Sequence, residues 1–294
     1  MTIRRVGIVA KQGLVAASEH VSRLGPWLRE RGIDAVYERD TAMLAGAAAH
    51  GAKTMTREAL PREVDLVIVL GGDGTLLAMA ARIAQAGRDI PILGVNFGSL
   101  GFLTEIRIDE LTPSLERVLD GTAVFDERAM LAADAYRKGQ QVDSRIVLND
   151  VVFTKAALSR MIELSVSVSG GFVTRVKADG LIIASATGST AYNLAAGGPI
   201  VHPMVDALIL TPIAPHTLTN RPIVIPGSAT VEVLAHANGT PEDIYVTYDG
   251  QSGYPLHEGD IVSVRKSERL LRLVKAPARS YFEVLREKLK WGER

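Results

Sequence analysis

The stretch VDLVIVLGGDGTLLAMAARIAQ, residues 64–85, places an apolar run directly before a glycine-rich turn and a helical pattern. A continuous apolar run is typical of a strand buried on both faces of a parallel sheet. Glycines after such a strand leave backbone N–H groups open to phosphate oxygens, at the edge where open α/β sheets bind ligands. The stretch therefore predicts an α/β domain with a ligand site at this turn.

Asp73 is the charged residue of the turn GGDGT, residues 71–75. An anion at this place repels phosphate, so the carboxylate needs another task. It could accept a proton from a hydroxyl group, bind a ribose or hold Mg²⁺. An ordinary strand-to-helix turn explains the same residues, because aspartate and glycine are common in turns.

Outward from this stretch, the N-terminal part alternates short apolar runs with helical patterns. Strands are predicted at residues 6–10, 35–38, 64–70 and 90–95, and helices at residues 14–31, 42–49, 76–85 and 109–119. This alternation predicts an α/β domain with a Rossmann-like parallel sheet over residues 1–123.

The pattern changes after residue 123. Strands are predicted at residues 129–137, 144–154, 163–169, 172–184, 207–213, 223–225, 230–235, 244–248, 261–266 and 270–274. Short strands with turns between them predict an all-β domain over residues 124–278. In the tail, Phe282, Leu285 and Leu289 share one helical stripe, so residues 279–294 are predicted to form a helix that packs back on the first domain.

Composition excludes several classes of protein. The 294 residues carry 33 basic and 33 acidic side chains, and these are scattered, which argues against a nucleic-acid partner. The chain has no Cys, so disulfides and thiolate chemistry are excluded. No apolar stretch reaches the roughly 18 residues of a membrane span, and the apolar start VGIVA is too short for a signal peptide. We expect a cytoplasmic protein without membrane contact.

Familiar nucleotide and hydrolase motifs are absent from the sequence. GAAAHGAKT, residues 46–54, lacks the lysine that a P-loop needs, because Ala52 stands in its place. Leu77 occupies the third glycine position of a dinucleotide fingerprint after the strand. Neither G-x-S-x-G nor H-E-x-x-H occurs, which argues against an α/β-hydrolase and a zinc protease.

Three further stretches have unusual composition. NFGSLGFLTE, residues 96–105, predicts a second phosphate-facing loop, although a flexible connector has the same composition. Asn149 and Asp150 follow an apolar run, where buried polar groups need partners such as a ligand, unless they form a strand-end turn. Residues 178–200 place small and hydroxyl side chains around Tyr192, which suits a flat ring or a sugar but also tight packing.

These stretches, with DGQ at residues 249–251, resemble the bacterial NAD kinases (ATP/polyphosphate-NAD kinase family) in order and spacing over nearly the whole chain. The resemblance implies phosphoryl transfer from ATP, or from polyphosphate, to the 2′-hydroxyl of the adenosine ribose of NAD, with Mg²⁺ or another divalent metal. It also implies a homodimer or homotetramer. Two alternatives are a lipid kinase of the diacylglycerol or sphingosine type, which has a similar glycine-aspartate turn, and a non-catalytic dinucleotide sensor.

The resemblance also implies roles for single residues. Asp73 is the expected catalytic base, with Gly74 beside it at the NAD, and Asn149 and Asp150 are expected to hold the adenosine. The other expected NAD contacts are Arg160, Lys177, Asp179, Thr190, Ala191, Tyr192, Asn193, Leu194, Ala195 and Gln251. No residue is assigned to the metal.

The chain departs from the family pattern at three places. Asp150 stands where many members have Glu, and Ser185 and Ala186 replace the commoner Thr-Pro. Lys177 stands where some NAD-selective members have Arg, and these two cations are not equivalent at bidentate sites. Because a cation is retained there, we hypothesise a preference for NAD over NADH and for ATP over polyphosphate.

Overall fold

The computed structural model describes residues 2–98, 100–155, 161–217, 219–236, 244–276 and 279–292, apart from the side chain of Ala47. The chain forms two compact units. Unit 1 comprises Met1–Glu127 and Leu271–Arg294, and unit 2 comprises Arg128–Leu270. Each unit contains a hydrophobic cluster of its own.

Unit 1 is built on a parallel sheet with strand order β6-β5-β4-β1-β2-β3. Its strands are β1 (Arg5–Ala10), β2 (Asp34–Glu38), β3 (Lys53–Met55), β4 (Leu66–Leu70), β5 (Ile92–Asn96) and β6 (Ile106–Arg107), and its first helices are α1 (Ser18–Arg29), α2 (Arg39–Ala45), α3 (Asp73–Gln85) and α4 (Leu111–Leu119). All five residues of β4 are buried. The α/β prediction is confirmed, whereas β3 and β6 were not predicted because they are too short to leave an apolar run.

The first four helices start two to four residues away from the predicted positions, and α3 and α1 show the reasons. Helix α3 begins at Asp73, three residues before the predicted start, because Gly72 takes an extended conformation (φ −105°, ψ −176°) and acts as its N-cap. An acidic residue in the first turn also suits the positive end of the helix dipole. Helix α1 begins at Ser18, after a 3₁₀ turn at Val15–Ala17, and not at residue 14. Asp73 therefore belongs to a helix and not to a loop.

The remaining elements confirm the all-β prediction, with one added helical turn at α5. They are β7 (Phe125–Arg137), β8 (Gln140–Val147), β9 (Asp150–Lys155), β10 (Ile162–Val168), β11 (Gly171–Ala178), β12 (Gly180–Ser185), α5 (Tyr192–Ala195), β13 (Ala207–Ile213), β14 (Ile223–Pro226), β15 (Thr230–His236), β16 (Ile244–Tyr248), β17 (Ser252–Leu256) and β18 (Ile261–Val274). In unit 2, an antiparallel sheet has the order β14-β13-β12-β9-β16-β17, and β11, β10, β15 and β18 are neighbours in a second sheet.

Four predicted strands had the wrong limits. The predicted strand 144–154 is two strands, β8 and β9, and the predicted strand 172–184 is β11 and β12. Each break occurs where the chain passes from one sheet to the other, so the polar residues there, Asn149 and Asp179, lie between strands. Conversely, residues 261–266 and 270–274 belong to the single strand β18.

The C-terminal helix α6 (Tyr281–Leu289) belongs to unit 1, as predicted. A capping box between Ser280 and Glu283 starts it. The predicted apolar stripe was wrong at Phe282, whose side chain is 63% exposed, because the helix buries Val284 and Leu285 instead. No helix in the described part of the chain is long and apolar enough to cross a membrane.

Candidate functional site

The carboxylate of Asp73, in the first turn of α3, is surrounded by hydrogen-bond donors from the loop after β5. Its Oδ2 accepts the backbone N–H of Phe102 at 2.8 Å, and its Oδ1 accepts those of Leu103 and Thr104 at 3.2 and 3.0 Å. The hydroxyl group of Thr104 also donates to Oδ1, at 2.8 Å. A carboxylate offers about four acceptor positions, two on each oxygen. Oδ1 is therefore saturated, while Oδ2 keeps an acceptor position for a further donor.

The loop at residues 96–105 closes around Asp73. A Cβ atom on Gly101 would lie 2.1 Å from Asp73 Oδ1, so only glycine fits there. The amide of Asn96 donates to the Thr104 hydroxyl at 3.1 Å and thereby orients it. The prediction that this loop faces phosphate was wrong for residues 102–104, because their N–H groups are donated to the carboxylate.

The turn has open space on the side of Gly72 and Gly74. A Cβ atom added at either glycine would have no described atom within 4 Å, apart from its chain neighbours and, for Gly74, the backbone of its own helix. Neither glycine has a positive φ angle. Their lack of a side chain therefore leaves space beside Asp73 and does not serve a strained backbone, which fits close approach of a ligand.

In unit 2, three separate segments that carry motifs meet at one edge of the six-stranded sheet, where strand β9 begins and its neighbours β12 and β16 end. Strand β9 begins at Asp150, opposite Ala184 near the end of β12, and Val151 pairs with Tyr248 at the end of β16. Antiparallel neighbours place the start of β9 beside the ends of the other two strands. Asn149, the segment after Ser185 and the turn at Asp249 therefore lie together.

The side-chain carboxylate of Asp249 binds the backbone N–H groups of the residues just before β9 and at its start. Its Oδ2 accepts the N–H of Leu148 at 2.8 Å, and its Oδ1 accepts those of Asn149 and Asp150 at 2.7 and 3.0 Å. The N–H of Asp249 in turn donates to the carbonyl of Asp150 at 3.0 Å. Asp249 has a left-handed conformation (φ 50°), which aspartate adopts more readily than most residues.

The opposite side of the same segment is held by Ser185. Its hydroxyl group donates to the carbonyl of Leu148 at 2.6 Å and accepts the N–H of Gly188 at 3.1 Å, and its own N–H donates to the carbonyl of Asn149 at 2.9 Å. A Cβ atom on Gly188 would lie 2.1 Å from the Asn149 carbonyl oxygen. The departure from the family pattern at Ser185 therefore keeps a hydroxyl group in use.

Asn149 and Asp150 have their backbone groups engaged, whereas their side chains form no hydrogen bond with any described residue. Both residues are buried, with exposures of 9% and 4%. Burial raises the pKa of the Asp150 carboxyl to about 7, and the nearby charge of Asp249 adds to this shift. Their polar atoms are not among the fully buried ones, so a ligand can reach them, and these side chains are suited to a polar ligand.

The segment predicted to line the NAD pocket, Thr190–Ala195, forms the end of a 3₁₀ turn at Thr187–Thr190 and the helical turn α5. Tyr192 is 44% exposed. Asn193 is fully buried: its amide donates to the carbonyls of Ser189 and Pro199, and its Oδ1 accepts the Thr211 hydroxyl. Asn193 can therefore contact a ligand through its backbone but not through its amide group.

The structure does not bring Lys177 and Asp179 to the same edge. Asp179 directly precedes β12, whose six residues extend over about 17 Å to Ser185, and Lys177 lies on β11 in the other sheet. Asp179 pairs with Lys155 at 2.7 Å, and Lys177 lies 3.7 Å from Glu163. Gln251, by contrast, lies beside the cluster, exposed, with its N–H donating to the Tyr248 carbonyl. The predicted contact Arg160 lies outside the described residues.

Acidic and imidazole side chains do not gather into a metal site. Within the described ranges, no group of three or more His, Asp or Glu side chains could hold a metal ion. Mg²⁺ at phosphoryl-transfer sites is usually bound by substrate phosphates with one or two carboxylates, so such a group is not required.

Sequence reasoning missed two residues that organise the site. In the sequence, Asp249 stands out only as part of DGQ, and Thr104 only as part of the loop at residues 96–105. The signal for both is a polar residue within or beside a motif, but their partners lie about 100 and 31 residues away along the chain. A local pattern does not show such pairs.

Comparisons with known proteins agree over both units. Family models described as the ATP-NAD kinase N-terminal domain and C-terminal domain match residues 6–123 and 148–276. The chain is 46% identical to an NAD kinase of Geotalea daltonii and 48% identical to one of Geobacter sulfurreducens. Each match spans 292 residues, which is 99% of this chain and 100% of the relative.

Solved structures show the same fold. A crystal structure of yeast NADH kinase complexed with NADH has a TM-score of 0.89 at 23% identity, covering 100% of this chain and 89% of that chain. An NAD kinase from Archaeoglobus fulgidus in complex with ATP has a TM-score of 0.74 at 25% identity, covering 96% and 99%. With both family models and full-length relatives in agreement, the chain belongs to the NAD kinase family.

Proposed function

We propose that the chain transfers the terminal phosphoryl group of ATP to the 2′-hydroxyl of the adenosine ribose of NAD, which yields NADP and ADP. The observation that carries this proposal is the pair of side chains at Asn149 and Asp150, which are largely buried, have no hydrogen-bond partner among the described residues, and keep polar atoms that a ligand can reach. The family supports the same reaction. Neither the family models nor the four relatives named above favour a lipid kinase or a non-catalytic sensor.

The acceptor is held in unit 2. The Asn149 amide and the Asp150 carboxyl group hydrogen-bond the ribose hydroxyls and the adenine amine, which supply the partners that the chain does not. The exposed Tyr192 and the backbone of Thr190–Ala195 line the adenine and ribose pocket. Gln251 adds a contact from the adjacent turn.

Asp73 acts as the general base for the 2′-hydroxyl. The open acceptor position on Oδ2 receives the hydroxyl proton, while the four donors hold the carboxylate in place. The oxygen then attacks the terminal phosphorus as ADP leaves. Phosphoryl transfer has a loose transition state, so positioning of the two substrates contributes more to the rate than proton removal does. The space beside Gly72 and Gly74 admits the substrates.

A divalent metal, Mg²⁺ in the simplest case, fits these residues. It would be held mainly by the donor phosphates, because the one open acceptor position of Asp73 takes the hydroxyl proton. When bound, the metal would neutralise the negative charge that develops on the phosphate oxygens. The chain's own contribution in unit 1 is to hold the carboxylate of Asp73 in one orientation.

The remaining proposals concern the protein as a whole. The family pattern supports a cytoplasmic homodimer or homotetramer, and light scattering during gel filtration measures the mass directly. The preference for NAD over NADH and for ATP over polyphosphate rests on the sequence alone, because Lys177 retains the cation of the family pattern but lies beside Glu163, away from Asn149. Equal rates with NAD and NADH would contradict the first preference.

The proposal is tested by turnover of the purified protein with NAD, ATP and MgCl₂, with NADP measured through an NADP-specific dehydrogenase. We expect NADP formation by the wild type. Asp73→Asn should lower the rate by about 100-fold or more while NAD still binds, because general base catalysis and the loop contacts are both weakened. Asp206→Asn, at an exposed ion pair with Lys266, is the matched control.

If the wild type makes no NADP with either ATP or polyphosphate, the proposed function is wrong. Phosphorylation of a lipid alcohol by ATP and MgCl₂, measured as ADP formation, would favour a lipid kinase. Tight NAD binding without turnover would favour a sensor.

A further inference from the structure

We propose that Asp249 is a positioning residue for dinucleotide recognition. Its carboxylate fixes the backbone of residues 148–150 and thereby orients the side chains of Asn149 and Asp150 toward the nucleoside. Ser185 binds the same segment from the other side. This inference rests on the proposed function, because it takes Asn149 and Asp150 as the acceptor contacts. Asp249 itself does not touch the substrate.

The first reason is the match between donors and acceptors. Three consecutive backbone N–H groups point at one carboxylate, with N···O distances of 2.7–3.0 Å. Two of these donors share Oδ1, and the third uses Oδ2. An ionised carboxylate has acceptor positions on both oxygens, whereas an amide has one acceptor oxygen and presents N–H groups on its other side. An Asn at position 249 would therefore set its NH₂ group against a backbone N–H.

The second reason is that the sheet does not need this contact. Strand β9 pairs over its length with β12 on one side and β16 on the other. The three donors, by contrast, lie before the strand or at its first residue, where the ladder begins. Asp249 therefore orders a segment that strand pairing leaves incomplete, and this segment carries the two unpartnered side chains.

The third reason is that Ser185 and Gly188 contact the segment from the side opposite Asp249. The Ser185 hydroxyl donates to the Leu148 carbonyl at 2.6 Å, and the close approach of Gly188 to the Asn149 carbonyl leaves no room for a Cβ atom. The segment is thus held between two fixed surfaces. A shift of about 1 Å at such a site is enough to lower activity by about 100-fold, because the ligand contacts depend on geometry.

The test compares Asp249→Asn with wild type and with the Asp206→Asn control. Aspartate and asparagine both tolerate the left-handed backbone at this position, so the change acts on the hydrogen bonds and the charge. NAD affinity is measured by calorimetry, and KM for NAD, KM for ATP and kcat are measured separately. We expect KM and Kd for NAD to rise about tenfold or more, with KM for ATP within about twofold of wild type. An unchanged affinity for NAD would overturn the proposal.

A double-mutant cycle separates positioning from general destabilisation. If Asp249 acts through Asn149, the loss of NAD affinity in Asn149→Ala combined with Asp249→Asn is smaller than the sum of the two single losses. Additive losses would mean that Asp249 acts elsewhere. Because the cycle uses NAD binding alone, it gives an answer even if no NADP is formed, and turnover of the wild type tests the proposed function separately.

Ser185 provides a second variant should Asp249→Asn not fold. Ser185→Ala removes the donor to the Leu148 carbonyl, and we expect the same selective rise in KM for NAD. Ser185→Thr keeps the hydroxyl group and should restore an affinity close to that of the wild type. An equal loss in both Ser185 variants would contradict a positioning role for the hydroxyl group.

Discussion

The hydroxyl group of Thr104 donates a hydrogen bond to Oδ1 of Asp73 at 2.8 Å, and the same oxygen accepts the backbone N–H of Thr104 at 3.0 Å. One residue of the loop after β5 thus fixes the rotation of the proposed base. Asn96 completes the chain by donating to the Thr104 hydroxyl.

Thr104→Val removes this link without changing the carboxylate. We expect kcat to fall about tenfold or more, since a hydrogen bond to a charged group contributes roughly 1.5–3 kcal/mol, with a smaller change in KM for NAD. The buried amide of Asn96 also loses its acceptor, which should lower the free energy of unfolding by about 1–3 kcal/mol in urea titrations. Thr104→Ser keeps the hydroxyl group and is the control. A wild-type kcat in the valine variant would mean that the backbone donors suffice.

Gly101→Ala tests how closely the loop surrounds Asp73. The added Cβ atom would meet Asp73 Oδ1 at 2.1 Å and the Thr104 hydroxyl at 2.2 Å, so the loop or the carboxylate must move. We expect a loss of kcat comparable with that of Asp73→Asn. Gly98→Ala, in the same loop, places its Cβ atom 3.9 Å from Asn96 Oδ1, an ordinary contact, and should remain active. Steady-state kinetics distinguish the two, and equal activity in both variants would contradict the close fit.

Gly188→Ala tests the position of Asn149 from the side of the small-residue segment. The new Cβ atom would overlap the Asn149 carbonyl oxygen, at 2.1 Å. We expect KM for NAD to rise while KM for ATP changes little, and the free energy of unfolding to fall by about 1–3 kcal/mol from overpacking. Gly171→Ala, at a hairpin where the nearest contact is 3.4 Å, is the control. A uniform loss of stability without a change in KM would show that the segment is structural only.

The carboxyl group of Asp150 should make stability depend on pH. Its folded-state pKa of about 7 lies above the ordinary value of 3.8, so between these two values the folded state binds more protons than the unfolded state. The free energy of unfolding therefore decreases as pH rises from about 4 to 7. Asp150→Asn removes this term, and the variant should gain stability relative to wild type over that range. Urea titrations at several pH values measure the difference, and a constant difference would contradict the raised pKa.

The order of elements could be predicted because strands buried on both faces, such as β4, read as unbroken apolar runs. The limits of the strands could not. Residues 144–154 and 172–184 each look like one strand, since nothing local marks the place where a chain leaves one sheet for another. Phe282 shows the same limit for helices: its stripe is apolar, but neighbouring elements decide which face is covered.

The sequence motifs of the candidate site could be predicted, but the contacts between those motifs could not. Glycines around Asp73 indicated a ligand site, and the structure adds that Gly101 is required by the carboxylate itself. Asn149 and Asp150 stood out because polar groups in an apolar run need partners. The carboxylate that holds them lies 101 residues from Leu148, and only the register of β9 with β16 brings it there.

Because unit 1 is made of two separate segments, the two units become complete at different times during synthesis. A nascent chain that has reached Leu270 contains every residue of unit 2, whereas unit 1 still lacks Leu271–Arg294. Those residues include Val274 and Ala276 of its hydrophobic cluster, and Arg279, which binds the Glu110 carboxylate. Unit 1, whose first residues leave the ribosome first, is therefore completed last. Loss of the C-terminal segment by proteolysis or by a premature stop codon acts first on the unit that carries Asp73, although that residue lies about 200 positions earlier in the chain.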